Sequence, residues 1–395
     1  MTESMTNSKS TEPPSQPPQV LEGIFAISKP PSISSATALH KLQTTFAPTH
    51  LFAPLLSSQP TRPSKDPSTP FKLGHGGTLD PLASGILIIG IGRGTKELGN
   101  YLACTKEYET VVCFGASTDS YDCTGVVTER AGHEHVTRRL VEEKLGLFRG
   151  LISQVPPVYS ALKIDGVKAC EYVRAGRELP RRLEGREMDV QECTLLDWYE
   201  AGQHDFVWPE SKSKSESESE SEDGGRRQAK GPAVRVRLVV SSGFYVRSFA
   251  HDLGVACQSR AFMAELVRTR QANFTLKQDL STHSAEPEAS SELIPAVTYD
   301  MLDAGEDVWG PVLRPQLEKW VESNPVAMGH VDGRDASTRN LIASKKEIRP
   351  KQRFRGEWVA ETKAERIKQQ GGRYKGKWNK KEGRPTHSAL IGDQT

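Results

Sequence analysis

Apolar and polar positions along the chain follow two rhythms, one suited to strands and one to helices. From Gly23 the run GIFAISKP reads as a strand that stops at Pro30. The next stretch, SISSATALHKL, offers Ser34 or Ser35 as a helix cap ahead of Ala38, Leu39 and Leu42 on one face. A strand-to-helix unit therefore opens the folded part. Further on, Ile86–Ile91 sits in the apolar run GILIIGIG, which has the length of a buried strand, and a helix is expected around Thr95–Ala103. The alternation in YETVVCFG predicts another strand, Val136–Phe148 carries the spacing of an amphipathic helix, and AVRVRLVV, Ala233–Val240, alternates as a half-buried strand does. Many connections between these strands are not helical, so antiparallel pairing is expected among these mixed α and β elements.

Interruptions in the pattern set the expected domain organisation. Residues 1–20 are polar and proline-rich and read as a disordered N-terminus. Residues 47–70 are loaded with Pro, Ser and Thr and read as a flexible surface insertion. The stretch SKSKSESESESEDGGRRQAKGP lies in a second insertion, residues 203–232, too polar to bury enough apolar area to offset chain ordering. A solvated spacer is the plain reading of it, a phosphorylatable tether the sharper one. One domain is expected over 21–300, followed by a C-terminal extension, 301–395, that ends in a basic, flexible tail. In that tail Phe354, Trp358, Tyr374 and Trp378 stand among lysines and arginines, a mixture that suits nucleic acid.

Composition narrows the function classes. A net charge of +2 announces no nucleic-acid partner by itself, so basic surface has to be local. The six cysteines show neither a CxxC pair nor a Cys/His ligand spacing, which points to a reduced intracellular protein without a zinc site. The longest apolar run is far short of the ~20 residues that cross a bilayer, and the N-terminus lacks the apolar core of a secretory signal, so no membrane role is expected. Cytoplasm, nucleus or an organelle such as the mitochondrion all remain open, with the lysine pairs Lys345/Lys346 and Lys380/Lys381 favouring the nucleus.

Two segments carry candidate chemistry. In GHGGTLDPLASG, Gly74–Gly85, the glycines permit close backbone approach, and Pro81 keeps Asp80 extended. A carboxylate is thus held on a shaped loop. In SSGFYVRSFAHDLG, Ser241–Gly254, Tyr245 and Arg247 stand where a strand gives way to a helix, and such an arginine can keep a buried carboxylate ionised and oriented.

Together with CTKEYETVVCFGASTDSYDCTG and PPVYSALKIDGVKACEYVRAG, these strings occur in the order of the motifs of TruB-type pseudouridine synthases, which the chain resembles from about Gly23 to Leu276. The resemblance implies the α+β pseudouridine synthase fold, with a mixed, mainly antiparallel central sheet, flanking helices and a catalytic cleft that accepts a flipped nucleotide, and a monomer needing no cofactor and no metal. It implies Asp80 as the catalytic aspartate, Tyr108 as the aromatic residue stacking on the target base, Arg247 as the partner of the aspartate and Tyr245 as its pocket neighbour. It also implies positions near the flipped nucleotide or the RNA backbone for His75, Lys29 and Lys163. The expected substrate is the T arm of tRNA, at uridine-55, with other RNAs bearing a T-loop-like stem-loop as further candidates. The competing readings are a guide-RNA-dependent synthase of the H/ACA type and a tRNA-folding chaperone whose catalysis is dispensable.

Overall fold

Strand β1, Gly23–Lys29, buries every residue but Ser28, as its nearly continuous apolar run requires. Pro30 ends it. Ser34 then caps helix α1, Ser35–Phe46, by accepting the Thr37 backbone N–H at 3.0 Å, and Ala38, Leu42 and Phe46 turn one face inward. The computed structural model describes residues 19–58, 68–206, 209, 231–276 and 293–325. The N-terminal segment, nearly all of the Ser/Glu stretch and the basic aromatic tail lie outside those residues.

The chain continues through α2 (Ala53–Ser58), β2 (Leu73–His75), β3 (Ser84–Ile91), α3 (Leu98–Ala103) and β4 (Lys106–Phe114). A small ribbon of β5 (Ala116–Thr118) and β6 (Val127–Arg130) precedes α4 (Arg138–Leu145), β7 (Gly150–Gln154) and the short hairpin of β8 (Lys163–Ile164) and β9 (Val167–Lys168). Then come α5 (Ala169–Arg174), β10 (Arg186–Tyr199), β11 (Ala233–Val240), α6 (Val246–Ala256) and β12 (Ala261–Gln271). Three two-residue strands, β13 (Phe274–Thr275), β14 (Ile294–Pro295) and β15 (Val297–Thr298), lead to α7 (Tyr299–Ala304) and α8 (Glu306–Ser323).

Eleven of these strands form one sheet, whose main path runs β15-β1-β3-β12-β4-β11-β10-β7. Pairing is antiparallel except at β1–β15, β3–β12 and β13–β14. The expected α+β class with a mixed, mainly antiparallel sheet is what forms. Strand β12 is central to the site because it joins β3, in parallel over Val267↔Ser84 and Arg268↔Gly85, to β4, in antiparallel register. Helix α6 packs against β12. The chain just before β3 and the start of α6 are thereby held near one strand.

Two expectations need correction. Residues 47–58 are not a flexible loop: Leu51, Phe52 and Leu55 are buried, and the Phe52 ring stacks at 6.3 Å on Trp309. The aromatic side chains outweigh the polar look of the stretch. Nor does packing end at residue 300. Trp309, Leu313 and Leu317 of α8 are fully buried in the main core, and Gly23 on β1 makes room for Trp320, whose Cγ would stand 2.6 Å from a Cβ placed there.

Candidate active site

Asp80 lies between β2 and β3, in a loop that two side chains of β12 grip from beneath. Arg268, only 1% exposed, donates from Nε to the Ile86 carbonyl at 2.7 Å and from Nη2 to the Gly77 carbonyl at 3.0 Å, so it holds both ends of the loop. Gln271, fully buried, donates to the carbonyls of Gly76 and Tyr101 at 2.6 and 2.8 Å. Gly85 has φ +103°, and a Cβ on it would meet the Arg268 carbonyl oxygen at 2.2 Å. Only glycine lets β3 and β12 approach so closely at the loop's exit.

On the other side of the carboxylate stands Arg247, in the first turn of α6. Its Nε is 2.8 Å from Asp80 Oδ2, and its Nη2 lies 3.4 Å from Oδ1, a two-point grip that fixes the plane of the carboxylate. The rest of the guanidinium is occupied too. It donates to the Ser120 carbonyl at 3.2 Å and the Tyr159 carbonyl at 2.9 Å, and Asp122 Oδ2 lies 3.7 Å from Nε. Asp122 is itself held by Ser120 Oγ at 2.7 Å and by the backbone N–H and hydroxyl of Thr124 at 2.9 and 2.6 Å. Arginine between two aspartates is therefore immobile.

Lys29 closes the third side. It is fully buried at the end of β1 and donates to the carbonyls of Pro30 and Ile33 at 2.8 Å and of Pro81 at 3.3 Å, bracing the residue next to Asp80. Burial lowers its pKa to about 8, against the upward pull of Asp80. For Asp80, burial raises the pKa above the ordinary carboxylate value, with Arg247 and Lys29 opposing and Asp122 adding to the rise. The side chain still keeps a third of its surface exposed, so one face of the carboxylate is open to a ligand.

The remaining candidates are placed unequally. Tyr245 forms the N-cap of α6, with its backbone N–H and carbonyl both bonded to the buried Gln154, at 2.8 and 3.0 Å, which sets the helix start two residues before Arg247. Tyr108 is almost fully buried, in register with Leu238 and Arg268, within the hydrophobic cluster that includes Leu79, Ala83 and Val246 around the Asp80 loop and Arg247. His75 ends β2. Its Nδ1 is buried without a hydrogen-bond partner among the described residues, and burial followed by Arg268 lowers its pKa, which leaves the imidazole neutral at pH 7.

Lys163 makes no hydrogen bond or ion pair with Asp80 among the described residues. It stands exposed on β8, at the start of a stretch, 163–186, with seven Lys and Arg against four Asp and Glu, including exposed Arg174, Arg177, Arg181 and Arg182. Sequence reasoning missed Asp122, Arg268 and Gln271. A signal for Asp122 exists in the polar turn STDSYDCTG, whereas Arg268 and Gln271 are single polar letters in a strand and gain meaning only from the β3–β12 register.

Comparison with known proteins gives the family. The family described as TruB family pseudouridylate synthase (N terminal domain) matches residues 65–213. A Schizosaccharomyces pombe protein named tRNA pseudouridine synthase 4 is 34% identical over 328 residues, covering 65% of this chain and 80% of its own. Its Saccharomyces cerevisiae namesake is 29% identical over 365 residues, covering 76% and 85%. A crystal structure of a Cbf5-Nop10-Gar1 complex is a looser likeness, with a TM-score of 0.41 and 22% identity over 76% of this chain and 60% of that one. The chain belongs to the TruB family of pseudouridylate synthases.

Proposed function

We propose that the protein isomerises uridine-55 in the T loop of tRNA to pseudouridine, with Asp80 as the catalytic carboxylate. The observation that carries this reading is the Asp80 carboxylate itself, gripped at two points by Arg247, backed by Lys29 and open on its remaining face. The names of the fungal relatives supply the substrate class.

The reaction breaks the bond from C1′ to N1 and forms one from C1′ to C5, with no net redox change and no group lost. Asp80 starts it by one of two routes: attack on C1′ to give a sugar ester, or removal of the C2′ proton to give a glycal. Either route needs the ionised carboxylate, which Arg247 and Lys29 favour against the cost of burial. The freed uracil is retained under the Tyr108 ring, turns, and bonds through C5, after which the C5 proton leaves. A base inside a folded loop is out of reach, so the nucleotide is flipped out, at a cost of a few kcal/mol recovered by stacking and pocket contacts. Neutral His75 serves as a hydrogen-bonding group rather than a charge, and the exposed arginines of 163–186 face phosphates.

A test is to incubate the protein with an unmodified tRNA transcript, digest it, and map pseudouridine by mass spectrometry of the fragments. One new pseudouridine, in the T-loop fragment, is expected. Product elsewhere, or only after a guide RNA is added, would overturn the assignment.

A further inference from the structure

Ser120 and Asp122 both hold Arg247, and between them stands Tyr121, with a φ of +62°. That is left-handed backbone, which a residue with a bulky side chain adopts only where its surroundings enforce it. The turn has a use. It reverses the chain so that the Ser120 carbonyl and the Asp122 carboxylate reach the same guanidinium, at 3.2 and 3.7 Å.

Two sets of contacts enforce the turn. On the backbone, the Met263 N–H donates to the Tyr121 carbonyl at 3.0 Å and the Cys123 N–H donates to the Met263 carbonyl at 2.9 Å, which fixes the loop to β12. On the other side, the Tyr121 ring leaves the loop and stacks on the His251 imidazole, with ring centroids 4.1 Å apart and planes 16° from parallel. His251 lies one turn after Arg247 on α6, and its Nδ1 is 3.1 Å from Ser117 Oγ on β5. The stack thus joins the loop that steadies Arg247 to the helix that carries it.

We infer that Tyr121 and His251 are positioning residues for the reaction: their stack holds the 118–124 loop and α6 in one register, so that Arg247 presents Nε and Nη2 to Asp80. The inference rests on the proposed role of Asp80. Neither ring touches Asp80, so their effect passes wholly through Arg247.

Four variants separate this role from a merely structural one. Tyr121→Phe keeps the ring, and His251→Phe keeps a stackable ring while losing only the Ser117 bond. Tyr121→Asn keeps a residue that tolerates left-handed backbone but removes the ring, and His251→Ala removes the other half of the stack. Each is measured for thermal midpoint, for kcat and KM on the tRNA transcript, and for the Asp80 titration by carbon NMR, assigned by difference against Asp80→Asn. Both Phe variants should stay within about twofold of wild type in kcat. Tyr121→Asn and His251→Ala should each lose about tenfold in kcat with KM little changed, and the double variant should be no worse than the weaker single. In the two ring-deletion variants the Asp80 titration should also move up by about half a unit or more as Arg247 loosens.

The titration is read without turnover, so a wild type inactive on tRNA would refute the proposed function and still leave this inference open to decision. A ring-deletion variant that folds, keeps kcat within about twofold and leaves the Asp80 titration in place would overturn it. So would losses that multiply in the double variant, or a loss confined to KM, which would make the rings an RNA contact.

Discussion

One guanidinium ties Asp80 to Asp122 and to two carbonyls, so the site depends on the fork of an arginine rather than on positive charge alone. Arg247→Lys keeps the charge and loses the fork; kcat should fall about 10²-fold, with KM for tRNA changed much less. Lys29 sets the alkaline side of the pH profile. Its pKa is lowered to about 8, so as pH rises through that value the ammonium becomes neutral, one of its three hydrogen-bond donors is lost, and Asp80 loses a nearby cation. The rate should therefore fall with a midpoint near pH 8, and Lys29→Met should be about tenfold slower and lack that limb. On the acid side the rate should rise with a midpoint above the ordinary aspartate value, because burial raises the Asp80 pKa. Asp80 and Arg247 were legible as residues because each sits in a distinctive string. Their contact was legible only through the family resemblance, since 167 residues separate them and only the sheet brings them together.

At the scale of elements, regular alternation was the most legible feature: Ala233–Val240 is a strand over the residues the pattern marked, and Ser34, one of the two serines the pattern offered, caps the first helix. Helix α8 was not legible. Pro311 and Pro315 lie inside it, and each removes a backbone donor that an ordinary helix uses, so its sequence reads as broken. The grip of β12 on the Asp80 loop was equally hidden, because it depends on a two-residue parallel register. That grip makes Gly85 a sensitive position. Gly85→Ala forces a Cβ against the Arg268 carbonyl at a positive φ and should destabilise the protein by about 3 kcal/mol or more, read from urea unfolding. Any protein that does fold should also lose activity, because Asp80 lies on the same loop.

For the molecule as a whole, the structure moves the boundary of the folded part. The sequence reading set residues 301–395 apart as a C-terminal extension, yet Trp309 packs against Phe46 at 5.0 Å as well as on Phe52, at a centre to which α1, the chain before α2 and α8 all contribute. Trp309→Ala should cost about 3–5 kcal/mol and lower the thermal midpoint without altering which uridine is modified in the protein that remains folded. The mixed α and β content was readable from strand and helix rhythm, and the central sheet through the family resemblance; the boundary was not, because a few large aromatic side chains decide it. The central claim, that Asp80 drives isomerisation of a T-loop uridine, is tested most directly by tritium release from tRNA transcripts labelled with [5-³H]uridine. Wild type should release tritium from the transcript with uridine at the target and none from one with cytidine there, and Asp80→Asn should be slower by about 10³-fold or more while still binding tRNA. Release by Asp80→Asn at the wild-type rate, or equal release from the cytidine transcript, would contradict the account.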